Sequence, residues 1–269
     1  MVPELQTKYD GLLSNLRSLG SVVAAYSGGV DSTFLVSAIK DSGIHYLAVT
    51  ALSPTMPQGD VDSVMEIAQE LQINHKIIQS KEMDDENFAS NPTNRCYYCK
   101  TDLFTRLTDV AKTEGYKFVV DGSTTDDQAD YRPGLQAKEQ LSVVSPLIQS
   151  GLSKEDVRQL SKAKNLKTWN KPASPCLSSR ITYGERITLD SLRMVGSAEI
   201  KMKNLGFNEL RVRKQGETAR IEVPASDIVR FMDDKVRSEI VSHLRGLGFL
   251  YVTLDLEGYQ SGKLNRMVS

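Results

Sequence analysis

Five short apolar runs, rich in β-branched residues, mark the first part of the chain: "SVVAAYS" (21–27), "HYLAVTA" (45–51), "HKIIQS" (75–80), "KFVVDG" (117–122) and "LSVVSPL" (141–147). They have strand length and are apolar at neighbouring positions, as in strands covered on both faces. Between them the rhythm changes to 3.6 residues. "VDSVMEIAQELQ" puts Val61, Val64, Ala68 and Leu71 on one helical face. "TDLFTRLTDVAKTEG" and "KEDVRQLSKAKN" read the same way, the second with Ser153 as its N-cap. Strands alternating with helices predict an α/β domain with a doubly wound parallel sheet over residues 1–170.

Past the proline-rich "KPASPCLSSR" the pattern is different. "SLRMVGSAEIKMKNLG" reads as helix, "ELRVRKQG" and "TARIEVP" as paired strands around a turn, "ASDIVRFMDDKVRSEIVSHLRGLG" as helix and "FLYVTLDLEG" as a last strand. The expectation is a smaller C-terminal α+β domain over 171–269. Trp169, His45 and His75 are expected in cores.

Composition narrows the classes. The 269 residues carry 40% hydrophobic and 25% charged residues, ordinary for a globular chain of one or two domains. The net charge is −1 with no long basic run, so a nucleic-acid partner gains little electrostatic support. No apolar run approaches membrane-spanning length, and the N-terminus lacks the pattern of a signal peptide. No membrane partner and a cytoplasmic location are therefore expected. Three cysteines fit a reducing compartment, where thiols serve as ligands or reagents.

The first strand runs directly into Ser27-Gly28-Gly29-Val30-Asp31-Ser32 and then a helix. Glycines let backbone approach a ligand, and a helix N-terminus offers amides to an anion, so the loop suits phosphate oxygens. It has neither the lysine and spacing of a Walker loop nor the dinucleotide fingerprint. Asp31 beside phosphates would be repulsive without a divalent cation, which implies Mg2+. "DGSTTDDQADYRPG" (121–134) follows the fourth strand, at the end of the sheet where open α/β folds bind ligands. Its Asp126, Asp127 and Asp130 also read as a solvated acidic turn, and Arg132 as a turn cap. Arg211 and Arg213 share one strand face, which is either wet or suited to a phosphate.

"SGGVDS" resembles the PP-loop of the ATP pyrophosphatases, which cleave ATP between the α and β phosphates. That resemblance implies ATP and Mg2+ at Ser27, Gly28, Gly29, Val30, Asp31 and Ser32, with Asp121, Gly122, Asp127 and Arg132 completing the nucleotide site. Together with "NKPASPCLSSRITYG" (170–184), "GFNELRVR" and "GFLYVTLDLEGYQSG", the whole chain resembles the LarE family, sulfur transferases of nickel-pincer nucleotide cofactor biosynthesis. The resemblance implies a small-molecule substrate, pyridinium-3,5-biscarboxylic acid mononucleotide. Its carboxylates are adenylated and then sulfurated, with Ser179, Arg180, Arg211 and Arg213 holding its anionic groups. A homo-oligomer is also expected.

Cys96 and Cys99 form C-x-x-C between Arg95 and Lys100, where positive charge favours thiolates. From the residues alone a zinc site, a redox pair and an iron–sulfur site compete. Zinc lacks a fourth ligand, and the pair lies outside the first βαβ unit, where a thioredoxin-like motif belongs. Members of the family divide. Some sacrifice the sulfur of one cysteine in the junction stretch, and others resemble three-cysteine tRNA thiolases that carry sulfide on a 4Fe-4S cluster. The three-cysteine type is the expectation, with Cys96, Cys99 and Cys176 as cluster ligands and sulfide or another sulfur donor as partner. The rivals are a tRNA thiolase, sacrifice of the Cys176 sulfur, and a non-catalytic adenine-nucleotide-binding module.

Overall fold

The computed structural model describes residues 3–128, 133–260 and 262–267. Along the chain run α1 (Pro3–Leu19), β1 (Ser21–Ala25), α2 (Val30–Ser42), β2 (His45–Leu52), α3 (Gln58–Glu70), β3 (His75–Gln79), α4 (Glu86–Ala89), α5 (Arg95–Glu114) and β4 (Phe118–Val120). Then come α6 (Pro133–Gln140), α7 (Pro146–Gln149), α8 (Lys154–Ala163), α9 (Leu189–Asn204), β5 (Arg211–Gln215), β6 (Thr218–Glu222), α10 (Asp234–Gly246) and β7 (Tyr251–Leu254). They divide into two compact units. The first comprises Met1–Ser53, Gly59–Glu82 and Asn94–Ser174; the second, Pro54–Gln58, Met83–Thr93 and Pro175–Ser269. The second unit thus takes in two short segments from the first third of the chain, which no linear change in sequence pattern signals.

The first unit is built on a four-stranded parallel sheet in the order β3-β2-β1-β4. Side chains alternate across a strand. Val22 and Ala24 of β1 therefore join one core with Leu12 and Leu16 of α1, Phe34 and Leu35 of α2, and Leu160 of α8. Val23 faces the opposite core with Phe104 and Leu107 of α5 and Val119 of β4. Burial on both faces is why β1 and β2 read as unbroken apolar runs, while β3 at the sheet edge has no buried residue. Ser153 caps α8 as its sequence suggests, in a reciprocal capping box with Asp156.

The fifth expected strand, 141–147, does not form; only Val144 makes an isolated bridge to Val120. The amides of Leu141 and Val143 bond back to Ala137 and Lys138 of α6, and Ser142 has a positive φ of 53°. Pro146, which has no amide, then opens α7. His45 is exposed and stacks on Tyr116, and Trp169 is half-buried under the Lys162 ammonium, so neither is a core residue. His75 is half-buried, with its ring beside Thr50 and Tyr26.

The second unit carries a three-stranded sheet, β5-β6-β7. Its β5 and β6 form an antiparallel hairpin, and β7 runs parallel to β6. Helix α9, capped by Thr188, packs on β5 and on α10. A 3-10 segment over Ala225–Met232 precedes α10, and the Asp233 cap separates the two.

Candidate active site

The strand order changes direction at β1: β2 lies on one side and β4 on the other. Loops leaving the carboxyl ends of these two strands flank the crevice where open α/β sheets take ligands. One is 26–29. Gly28 sits at φ +64°, and a Cβ there would meet Val64 Cγ2 of α3 at 2.7 Å, so only glycine fits. Gly29 is the N-cap of α2 and supplies no side-chain cap, which leaves the first-turn amides for a ligand. Ser32 Oγ instead accepts from the Ser27 amide (3.2 Å) and lies 3.1 Å from Ser27 Oγ, pinning the loop. The other loop is 121–124. A Cβ on Gly122 would stand 3.1 Å from backbone atoms of Asp31 and Ser32, so this glycine lets the two loops touch.

Asp31 opens α2 in a partly buried setting. Burial, and then the neighbouring Asp127 carboxylate, push its pKa up to about 6 against the pull of Lys154 and Arg158. Asp127 is buried; its Oδ2 accepts from the Thr124 amide (3.0 Å), and its Oδ1 lies 3.0 Å from Lys154 Nζ. Asp126 accepts from the Lys154 amide at 2.8 Å. The acidic turn is therefore built in at Asp127, while Asp126 is exposed. Asp121 is committed elsewhere: its carboxylate takes Ser123 and Ser145 hydroxyls at 2.6 Å and the buried Lys138 ammonium at 3.2 Å. These bonds hold the 121–124 loop in place. Arg132 and Asp130 lie outside the described residues.

In the second unit the sequence-predicted arginines have unequal freedom. Arg180 is buried and forks onto Glu199, with Nε–Oε1 at 2.8 Å and Nη2–Oε2 at 3.0 Å. Its remaining nitrogen, Nη1, donates to the carbonyls of Pro175 (2.9 Å) and Cys176 (3.2 Å) and to Ser179 Oγ (2.8 Å). Arg213 is buried as well. It donates to Glu222 Oε2 at 2.9 and 3.1 Å and to the Ser179 carbonyl at 2.6 Å. Both are paired within their own fold, where they fix the 175–179 backbone, and Arg213 keeps further N–H donors beyond the three that bond to Glu222 and Ser179. Ser179 Oγ donates to the Cys176 carbonyl, an internal turn of the same segment. Arg211 is different. It donates to the Leu210 carbonyl at 2.6 Å and lies over the Tyr259 ring at 5.0 Å, and among the described residues no carboxylate is paired to it. Burial, and then Arg180, lower its pKa. An excess of positive charge here is relieved by an anion.

Cys176 caps the 3-10 turn over Leu177–Arg180 and its side chain is exposed. Cys96, exposed, and Cys99, half-buried, lie three residues apart in the first turns of α5. Tyr97, between them, reaches Gln140 of α6 at 2.7 Å. Cys96 and Cys99 belong to the first unit and Cys176 to the second. Among the described residues no group of three or more His, Cys, Asp or Glu is placed to hold a metal ion. Four residues at these sites carry no signal in the sequence: Lys138, Lys171, Glu199 and Glu222. An isolated lysine or glutamate reads as surface until its partner across the fold is known.

Among the described residues, no helix is long and apolar enough to cross a membrane. No protein-family model matches the chain. It is 45% identical to an uncharacterized protein of Synechocystis over 98% of this chain and 99% of the relative. A second uncharacterized protein, from Methanocaldococcus jannaschii, is 29% identical over 89% of this chain and 91% of the relative. The pyridinium-3,5-bisthiocarboxylic acid mononucleotide synthase of Lactiplantibacillus plantarum is 37% identical over 97% of this chain and 95% of its own. A likeness of that extent spans both units, and the chain belongs to the family of this synthase, LarE.

Proposed function

We propose that this enzyme adenylates the carboxylates of pyridinium-3,5-biscarboxylic acid mononucleotide with ATP and converts them to thiocarboxylates, for a nickel-pincer cofactor. The observation that carries this reading is the full-length identity to the bisthiocarboxylic acid mononucleotide synthase. The open helix N-terminus of α2, at the switch point of the sheet, supports the use of ATP.

The amides of the 27–32 loop receive the β and γ phosphates. Asp31, with Asp127 nearby, suits a Mg2+ ion: two carboxylates whose charges oppose each other are relieved by a cation, which when bound would offset phosphate charge. A substrate carboxylate oxygen attacks the α phosphorus, and the bond to the leaving pyrophosphate breaks. The product is an acyl adenylate. A sulfur nucleophile then adds to its carbonyl and expels AMP, leaving a thiocarboxylate. Two such rounds convert both carboxylates. Arg211 holds an anionic group of the substrate, while Arg180 and Arg213 set the backbone that carries Cys176.

For the sulfur, Cys96 and Cys99 supply two thiolates from one helix turn, and Cys176 is the third donor. The three would hold a 4Fe-4S cluster, which when bound would supply the sulfur nucleophile. A second reading has one observation in its favour. Cys176 is exposed, which suits sacrifice of its own sulfur.

The test is anaerobic protein given ATP, Mg2+ and the dicarboxylate. Pyrophosphate release that depends on the dicarboxylate is expected, and release that depends on tRNA instead would overturn the assignment. Loss of iron in each of Cys96→Ala, Cys99→Ala and Cys176→Ala supports the cluster. Iron-free protein whose Cys176 has lost about 34 Da after delivering at most one sulfur per chain supports the sacrificial route.

A further inference from the structure

We infer that Lys171 is a positioning residue of the nucleotide loop, gripping the Gly28 carbonyl so that the Gly29 amide is aimed at the phosphates. The inference rests on the reading of residues 27–32 as an ATP site. Lys171 lies far along the chain from that loop, yet its Nζ donates to the Gly28 carbonyl at 3.2 Å and to Ser63 Oγ at 2.9 Å. Asp60 Oδ1 stands 3.6 Å away. Ser63 and Asp60 belong to the first turns of α3, the helix whose Val64 packs against Gly28. Lys171 is itself held, because Arg158 of α8 donates to the Trp169 carbonyl at 3.0 Å and to that of Lys171 at 3.4 Å. Ser174, three residues on, also donates to Asp60.

Peptide planarity makes this contact matter. In a trans peptide the carbonyl of one residue and the amide of the next point in opposite directions. Holding the Gly28 oxygen on the α3 side therefore turns the Gly29 N–H the other way. A Gly-Gly pair has wide conformational freedom and would otherwise also sample peptides with an oxygen turned toward the phosphates. Lys171 removes those states before the nucleotide arrives.

The experiment compares wild type with Lys171→Met, which keeps the length of the side chain and removes its donor. Binding of ATP, inorganic pyrophosphate and adenosine is measured by calorimetry, with thermal unfolding recorded alongside. ATP and pyrophosphate should bind about ten- to a hundredfold more weakly, the range for loss of a charged hydrogen bond, and adenosine should be unaffected. Lys171→Arg should restore part of the loss, since it returns a cationic donor. Pyrophosphate binding within about twofold of wild type would overturn the inference, and so would a loss falling equally on adenosine. If Lys171→Met does not fold, Lys171→Gln is judged by the same two outcomes. Wild type that binds neither ATP nor pyrophosphate is a separate result, overturning the nucleotide reading and this inference with it.

Discussion

At the nucleotide loop of the first unit, the groups able to meet an anion are left open. Around the arginine cluster of the second, most of them are already spent. The loop has an uncapped helix N-terminus, a glycine at a close contact and an aspartate held away from its ordinary pKa. The cluster has two arginines held on buried glutamates, and Arg211, which pairs with no carboxylate among the described residues. The same side-chain chemistry, strongly charged and partly buried, thus does two jobs. An unpaired group marks where a ligand goes, and a paired one marks what holds the site in shape.

The largest expected effect falls on the loop. Asp31→Ala should cut adenylation by at least about a hundredfold, the scale on which loss of a preorganised electrostatic group is felt. Its fold should persist, because Asp31 fills no apolar core. The check is pyrophosphate release together with circular dichroism. Near-normal release would take Asp31 out of the site and level the contrast between the two units.

Much of the first unit was legible because its signals are local. Four of the five apolar runs became the four strands, and "SGGVDS" became a turn between strand and helix at the switch point. The run at 141–147 misled because apolar residues also line a half-buried loop, and there the proline and the α6 hydrogen bonds decided the outcome. The arginines were harder to read. Their roles depend on Glu199, thirteen residues before the amide of Val212 that it also accepts from, and on Glu222 across a hairpin. No spacing rule announces such partners. Lys171 was invisible for the same reason.

The glutamates therefore give the second prediction. Glu199→Ala leaves the Arg180 guanidinium buried without its partner, which should cost about 3–5 kcal/mol of stability. Denaturant unfolding would show it as a lowered midpoint with an unchanged slope. A cost below about 1 kcal/mol, as at an exposed pair, would mean that Arg180 is free to turn toward a ligand after all.

Arg211→Ala should behave in the opposite way. It breaks no salt bridge, so stability should change little, while use of the dicarboxylate falls about ten- to a hundredfold and use of ATP holds. Arg213→Ala, by contrast, should lower stability first, since it strips Glu222 of one of its cationic partners. If the two variants lost substrate use and stability in equal proportion, the distinction between open and spent arginines would fail.

The smallest effect concerns the proton on Asp31, and its sign is opposite to that of an ordinary surface carboxylate. The folded pKa of about 6 stands above the ordinary value of 3.8, mainly through burial and then Asp127. Between those values the folded chain keeps a proton that the unfolded chain has released. Unfolding therefore releases protons, and stability falls as pH rises through this window, with the full penalty in place above about pH 6. Part of the shift is screened by solvent at this partly exposed group, so the penalty should be about 1–2 kcal/mol at neutral pH. Asp31→Asn removes the charge and nearly keeps the shape. In nucleotide-free protein treated with a chelator, it should unfold at a higher temperature than wild type at pH 7 and at the same temperature at about pH 4. Adenylation should be lost in the same variant. A site kept less stable than its isostere, for the sake of a charge that ATP and a cation would use, accounts for both results. Melting curves that stay parallel from acid to neutral pH would mean that Asp31 ionises like any exposed aspartate, leaving the two units alike in how they hold charge.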